Sequence, residues 1–192
     1  MARSVEFNEC EIIEKAMNVF WEKGYHATSM QDLVDAMQIN RSSLYNTIGD
    51  KHCLFIKCVT SYAEAGIRET QEKIANAASP LQAVIKIIKD KAAWVVDSEK
   101  GCLGIKTVFE IAPEDEAVRN LLNRNNVIYK QMMTELIQSA IDSGELDGSE
   151  DAALLAEYIM TTFTGWKQAF ILNGDPIIIK KMSEYLIKSI TR

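Results

Sequence analysis

Apolar positions recur at spacings of three and four from Ile12 to Ile190, and alternating apolar and polar stretches are almost absent, so the pattern predicts an all-α fold. The predicted helices span 8–23, 30–37, 41–47, 51–77, 80–98, 103–111, 114–143, 149–172 and 176–190. Their punctuation agrees with their periodicity. Ser79 precedes Pro80 and Asp175 precedes Pro176, each a capping residue followed by proline in the first turn, and Pro113 precedes the acidic start Glu114, Asp115, Glu116. Gly24, Gly49, Gly144, Gly148 and Gly174 mark helix ends or connections. No internal repeat or low-complexity tract is present.

The first three helices are short and tightly linked. Helix one turns Ile12, Ile13, Ala16, Val19 and Phe20 inward. Helix two begins after Thr28 or Ser29, either of which can cap it, and Ser29 with Asp32 fits a capping box; Met30, Leu33, Val34 and Met37 form its apolar face. Only Gln38, Ile39 and Asn40 separate it from helix three. A connection of about three residues makes two helices cross steeply, the helix-turn-helix arrangement, with Ile39 plugging the turn and Asn40 capping the second helix. In "NRSSLYNTIGDK", residues 40–51, Leu44 and Ile48 supply one buried stripe, while the remaining positions are small, polar, aromatic or basic. Folding of that helix does not require such an outward face.

Composition narrows the options. With 192 residues, 47% of them hydrophobic, the chain can bury a sizeable core, as one larger domain or as a small domain joined to a larger one. Its longest apolar runs, such as "YIMTTFTGWKQAFIL", are broken well short of a membrane span, and the N-terminus carries no charged, apolar, cleavable segment, so a cytoplasmic protein with no membrane partner is expected. A net charge of −6 argues against a nucleic-acid partner, because neutralising phosphates supplies much of such affinity. The distribution softens this objection. Residues 1–37 carry three Lys/Arg against seven Asp/Glu, whereas residues 38–60 carry Arg41, Lys51 and Lys57 against Asp50 alone. Cys10, Cys53, Cys58 and Cys102 lack paired zinc-site spacing and read as free thiols, so neither a metal nor a cofactor is expected.

The run "IIEKAMNVFWEKGYHATSMQDLVDAMQINRSSLYNTIGDKHCLF", residues 12–55, resembles the N-terminal DNA-binding domain of the TetR family of transcriptional repressors. The likeness covers a helix, G-Y-x-x-T-S, helix two, a short turn, S-x-L-Y and a lysine opening helix four. It implies a nine-helix TetR-like fold: a three-helix DNA-binding domain over residues 1–50, with helix four, 51–77, connecting it to a larger ligand-binding and dimerisation domain within 51–192. It also implies a homodimer that binds double-stranded operator DNA and releases it when a small-molecule effector enters the larger domain.

By the same resemblance, helix three would lie in the major groove. Ser42, Ser43, Asn46 and Thr47 would face bases or phosphates, Tyr45 would hydrogen-bond a phosphate, and Arg41 could reach a guanine edge or the backbone. Thr28 and Ser29 at the start of helix two, Asn40 at the start of helix three and Lys51 at the start of helix four complete the expected DNA-binding set, helix N-termini being suited to phosphate. The chain departs from the family pattern in three places. Gln38 stands where the turn usually has glycine, Ser42 where helix three usually has glycine or alanine, and Asn46, Thr47 and Ile48 where an aromatic or histidine pair and a phenylalanine are common. Asn46, Thr47 and Ile48 imply an operator unlike the family's better-known ones.

Residues 154–172 are apolar on more than one side, and so is the last helix. Leu155, Ile159, Phe170, Ile178, Met182 and Tyr185 are accordingly the expected dimer contacts, in the four-helix interface that the resemblance implies. Trp94, Phe109, Tyr129, Met133, Tyr158, Phe163 and Trp166 are the expected lining of an apolar effector pocket. Cys102 joins them because "GCLGIKTVFEIAPEDEAVR", residues 101–119, is similar to a TetR subgroup that includes sensors of electrophiles or oxidants; Lys100 and Lys106 nearby favour a thiolate, Glu99 and Glu110 oppose it. Enzymatic chemistry is a poor reading: a Cys-His pair would need His26 or His52, both within or beside the small domain. A helical carrier of small molecules that binds no DNA is the remaining alternative.

Overall fold

The computed structural model describes residues 9–191, the side chains of Ser43, Asn46 and Thr47 excepted. Every described secondary-structure element is a helix: α1 (Glu9–Lys23), α2 (Met30–Met37), α3 (Arg41–Thr47), α4 (Lys51–Ala75), α5 (Pro80–Asp97), α6 (Leu103–Glu110), α7 (Glu116–Asp142), α8 (Ala152–Asn173) and α9 (Pro176–Ile190). The pattern located each to within a few residues.

Side-chain caps account for the starts. The Ser29 hydroxyl accepts the Asp32 N–H at 3.1 Å while the Asp32 carboxylate accepts the Ser29 N–H at 2.9 Å, the capping box read from the sequence. Ser79 caps α5 ahead of Pro80, and Asp175 caps α9 ahead of Pro176. Asp115, in the acidic run after Pro113, accepts the Val118 N–H at 3.0 Å and opens α7. Asp151 opens α8 by accepting from Ala153 and Leu154, three residues later than the pattern placed that helix.

The chain divides into two compact units, and the division differs from the sequence-based one at residue 50. The first comprises the residues up to Ala65 together with Cys102–Asn123; the second comprises Gly66–Gly101 and Arg124–Arg192. In the first, Phe20, Leu33, Leu44, Leu54 and Phe55 are buried with Ile111, Val118 and Leu121, so α6 and the start of α7 help to close the core around the helix-turn-helix. Phe20, Tyr25 and Phe55 form its aromatic centre, with ring centroids 5.0 Å apart for Phe20 and Phe55 and 4.8 Å for Tyr25 and Phe55. In the second, α5, α8, α9 and the later part of α7 bury Ile88, Met133, Ile137, Ile159, Trp166 and Ile179. No described helix is long and apolar enough to cross a membrane.

Candidate nucleic-acid interface

The α2–α3 connection is built around a left-handed residue. Gln38 has φ 57° and ψ 38°, and its N–H reaches back to the Asp35 carbonyl at 3.3 Å, closing α2. Ile39 then bonds back to Val34 and packs on the core, and the Asn40 carbonyl accepts the Leu44 N–H at 3.1 Å to open α3. Leu44 and Ile48 are buried, whereas Asn40, Arg41, Ser42 and Tyr45 are exposed, as a helix that offers one side to a partner requires. The expectations for Ser43, Asn46 and Thr47 lie outside the described side chains.

At the start of α2 the arrangement is less open to phosphate than the sequence suggests. Thr28 is buried, and its hydroxyl donates to the Gly24 carbonyl at 2.5 Å, so it closes the α1–α2 turn rather than facing outward. Ser29 is exposed, but its hydroxyl lies 2.8 Å from the Asp32 carboxylate. Lys23 pairs with that carboxylate at 2.6 Å, and the lysine together with the Ser29 bonds lowers the Asp32 pKa to about 2. An anion therefore already occupies the positive end of α2. Lys51, the other expected phosphate contact, is half-buried with its ammonium 4.4 Å over the Tyr25 ring. Burial lowers its pKa and the Glu110 charge opposes that.

Sequence reasoning missed the part that α6 plays beside this surface. One turn apart on α6, Lys106 donates to the Trp21 carbonyl at 2.7 Å and Glu110 accepts the His26 N–H at 2.9 Å, so both side chains hold the end of α1 and the turn that follows. His52 meets Asp115 at 2.6 Å, tying the start of α4 to the cap of α7. Contacts between residues 84 or 85 positions apart leave no periodic signal; the only sequence cue was the i, i+4 spacing of Lys106 and Glu110. Lys106, near Cys102 in sequence, does not face the thiol with a free ammonium, because it is engaged by the Trp21 carbonyl. The Cys102 Sγ lies instead 3.5 Å from the Tyr62 hydroxyl, which donates to it.

The residues expected to line an effector pocket separate into groups. Met133, Phe163 and Trp166 are buried in the second unit, and Trp94 and Tyr129 pack against the same core. Phe109, 75% exposed, and Tyr158, 53% exposed, do not line an enclosed cavity in the single chain; each lies on the outward side of its helix. Cys102 and Phe109 belong to the first unit. The second unit contains an open groove of about 570 Å³ lined by Gln71, Ile74, Ile128, Met132 and Leu136 among others. It also buries a lysine, Lys167, which the apolar run around it concealed.

The expected dimer contacts need one correction. Leu155 and Ile159 are buried in the chain's own core, which α5, α7, α8 and α9 build together, rather than facing outward. The exposed apolar side chains of α8 and α9 are Leu154, Tyr158, Ile171, Leu172 and Ile177, with Ile178, Met182 and Tyr185 as expected; Phe170 is half-buried.

Comparison with known proteins agrees with this geometry. The profile of bacterial regulatory proteins of the tetR family matches residues 12–58, and that of the tetracyclin repressor-like C-terminal domain matches residues 79–186. YezE of Bacillus subtilis strain 168, an HTH-type transcriptional regulator, is 32% identical over 83% of this chain and 84% of its own. A solved complex of the TetR family regulator CifR, a cysteine mutant with 26 bp operator DNA, superposes with a TM-score of 0.84 at 25% identity, covering 97% of this chain and 98% of that one. FadR from Bacillus subtilis, solved with stearoyl-CoA, shares the fold with a TM-score of 0.78 at 18% identity over 96% and 98% of the two chains. With both its helix-turn-helix and its larger C-terminal region matched, the chain belongs to the TetR family of bacterial helix-turn-helix transcriptional regulators.

Proposed function

We propose that this protein is a cytoplasmic, homodimeric repressor that holds operator DNA with α3 in the major groove and releases it when a small, largely apolar effector occupies the second unit. The observation that carries the reading is the division of α3 into a buried stripe, Leu44 and Ile48, and an exposed side with Arg41, Ser42 and Tyr45. The operator complex of CifR supports the DNA partner, and the stearoyl-CoA complex of FadR supports an effector for a chain of this fold. The dimer reading rests on the exposed apolar side chains that α8 and α9 share, Leu154, Tyr158, Ile171, Leu172, Ile177 and Tyr185 among them. Two copies would present their α3 helices about 34–36 Å apart, one turn of DNA. Selection of binding sites from random DNA, followed by gel shift, tests this: a two-half-site sequence bound with salt-dependent affinity is expected. A carrier without DNA function would enrich no sequence.

A second reading makes Cys102 an electrophile or oxidant sensor. It is favoured by the half-exposed position of the cysteine ahead of α6, where the Tyr62 hydroxyl donates to Sγ at 3.5 Å. Release of selected DNA by a quinone, compared between wild type and Cys102→Ser, separates the readings. Equal sensitivity removes Cys102 from the switch.

A further inference from the structure

Lys167 sits in the last third of α8, 8% exposed, in a stretch that is largely apolar. Its ammonium donates to the carbonyls of Val95 at 2.9 Å and Ser98 at 2.7 Å, at the C-terminal end of α5, and lies 5.6 Å from the Phe170 ring centroid and 5.9 Å from that of Trp94. Helix-end carbonyls and ring faces make a buried cation tolerable. They do not neutralise it. Burial lowers the Lys167 pKa, and no carboxylate among the described residues offsets that shift. An ammonium has three donors, and two are used here.

The neighbouring residue adds an independent observation. Trp166 is 1% exposed and its indole N–H has no acceptor among the described residues. Buried indole N–H groups are ordinarily paired. The other buried side-chain atom without a partner among the described residues, Nδ2 of Asn125 on α7, is also a donor and belongs to the same unit. Consecutive residues of α8 thus carry a cation without a countercharge and a donor without an acceptor, in the unit matched by the family's C-terminal profile.

We propose that the effector of this protein is an apolar monocarboxylic acid, aromatic or short-chain aliphatic, whose carboxylate is received by Lys167 and the indole N–H of Trp166. A carboxylate supplies both missing elements, a single negative charge and acceptor oxygens. The surroundings set the rest of the class: with Trp94, Phe163 and Phe170 close by, one charge can be matched but a phosphate or a polyanion cannot. The inference rests on the reading that the second unit binds an effector, and it replaces a neutral apolar ligand by an acidic one.

The test uses the full chain and matched probes: benzoate against benzamide and benzyl alcohol, and hexanoate against hexanamide. Melting temperature and release of selected DNA are followed together. The acids are expected to stabilise the protein and release DNA at concentrations at least tenfold lower than their neutral counterparts. Lys167→Met should abolish that preference, so that each acid and its neutral counterpart act at similar concentrations. If that variant fails to fold because α5 loses its end contacts, Trp166→Phe keeps the ammonium and should still weaken acid binding severalfold. Release by neutral probes alone, or equal action of acid and amide, overturns the acid proposal and leaves effector control standing. So does the absence of any acid effect. Acid binding unaltered in Trp166→Phe also overturns it, since a buried water alone then satisfies the indole. Failure of the wild type to bind selected DNA counts against the regulator reading before any probe is added.

Discussion

The Glu110 carboxylate occupies the space that a side chain at Gly24 would need: a Cβ built there would lie 2.8 and 2.9 Å from its two oxygens. Gly24 also has φ +82°, a conformation that L side chains adopt only with strain. Close approach and backbone conformation thus require glycine for different reasons. Gly24→Ala is expected to destabilise the protein by about 1–3 kcal/mol, strain and displacement of the carboxylate acting together. In a Glu110→Ala background only the strain remains, so the same change should cost less; equal costs in urea unfolding would show that the carboxylate yields freely. Glu110→Gln, which keeps an acceptor for the His26 N–H, should bind selected DNA better than Glu110→Ala.

Gln38 closes α2 in the left-handed region without the freedom of glycine. Replacing it by glycine relieves about 1 kcal/mol of strain and gives back part of that as unfolded-state entropy. Gln38→Gly should therefore raise stability by a few tenths of a kcal/mol up to about 1 kcal/mol. A fall in the urea midpoint would mean that the Gln38 side chain makes a contact that offsets its backbone.

Leu154 and Leu155 are neighbours with opposite surroundings, the first 68% exposed and the second 8%. Leu155→Ala should destabilise the folded chain by about 2–5 kcal/mol, as removal of a buried leucine does. Leu154→Glu should leave the fold intact and, if the outer side of α8 meets a second copy, shift sedimentation towards monomer. Sedimentation unchanged by both Leu154→Glu and Leu172→Glu would move the dimer interface elsewhere.

The Asp32 carboxyl is held at about 2 by Lys23 and Ser29, below its ordinary value of 3.8. Asp115 is lowered as well, first by the Val118 N–H that it caps and then by His52. A depressed folded-state pKa contributes stability that is present above the unfolded value and disappears as pH falls through the folded one. The capping box should accordingly weaken between about pH 4 and 2, and helical circular dichroism should fall across that interval. Asp32→Asn should flatten part of the fall; an unchanged acid profile would assign it to other carboxylates.

Burial pushes the Cys58 thiol up to about 12, whereas Cys10 and Cys53 are exposed. Iodoacetamide at pH 8 should label Cys10 and Cys53 in the native protein and reach Cys58 only once urea unfolds the first unit. Mass spectrometry of the labelled peptides checks this, and native labelling of Cys58 would show that α1 separates readily from α4.

Much of this architecture was legible because helices advertise themselves locally. The capping pair Ser29 and Asp32, the prolines after Ser79 and Asp175, and the stripe of Leu44 and Ile48 are all set by neighbours within four residues. What could not be read depends on partners far along the chain. The family resemblance points Thr28 at phosphate, but its hydroxyl donates to the Gly24 carbonyl. Leu155 and Ile159 share an apolar run with Leu154 and Tyr158, and only packing against the other helices of the second unit decides which of them face inward. Lys167 reads as a break in that run because nothing near it in sequence reveals the carbonyls of Val95 and Ser98.

The core of the first unit includes Ile111, Val118 and Leu121, supplied by a segment that follows the whole of α5 in the chain. Domains commonly fold from the N-terminus while synthesis continues, but this one cannot complete itself in that order. Its helix-turn-helix leaves the ribosome early and must wait for α6 and the start of α7 before its apolar surface is closed. A nascent chain that stops before Leu121 therefore lacks a finished reading head. Grafting this DNA specificity onto another regulator would likewise require moving Cys102–Asn123 with the N-terminal helices, since the chain encodes the reading head in two separate pieces.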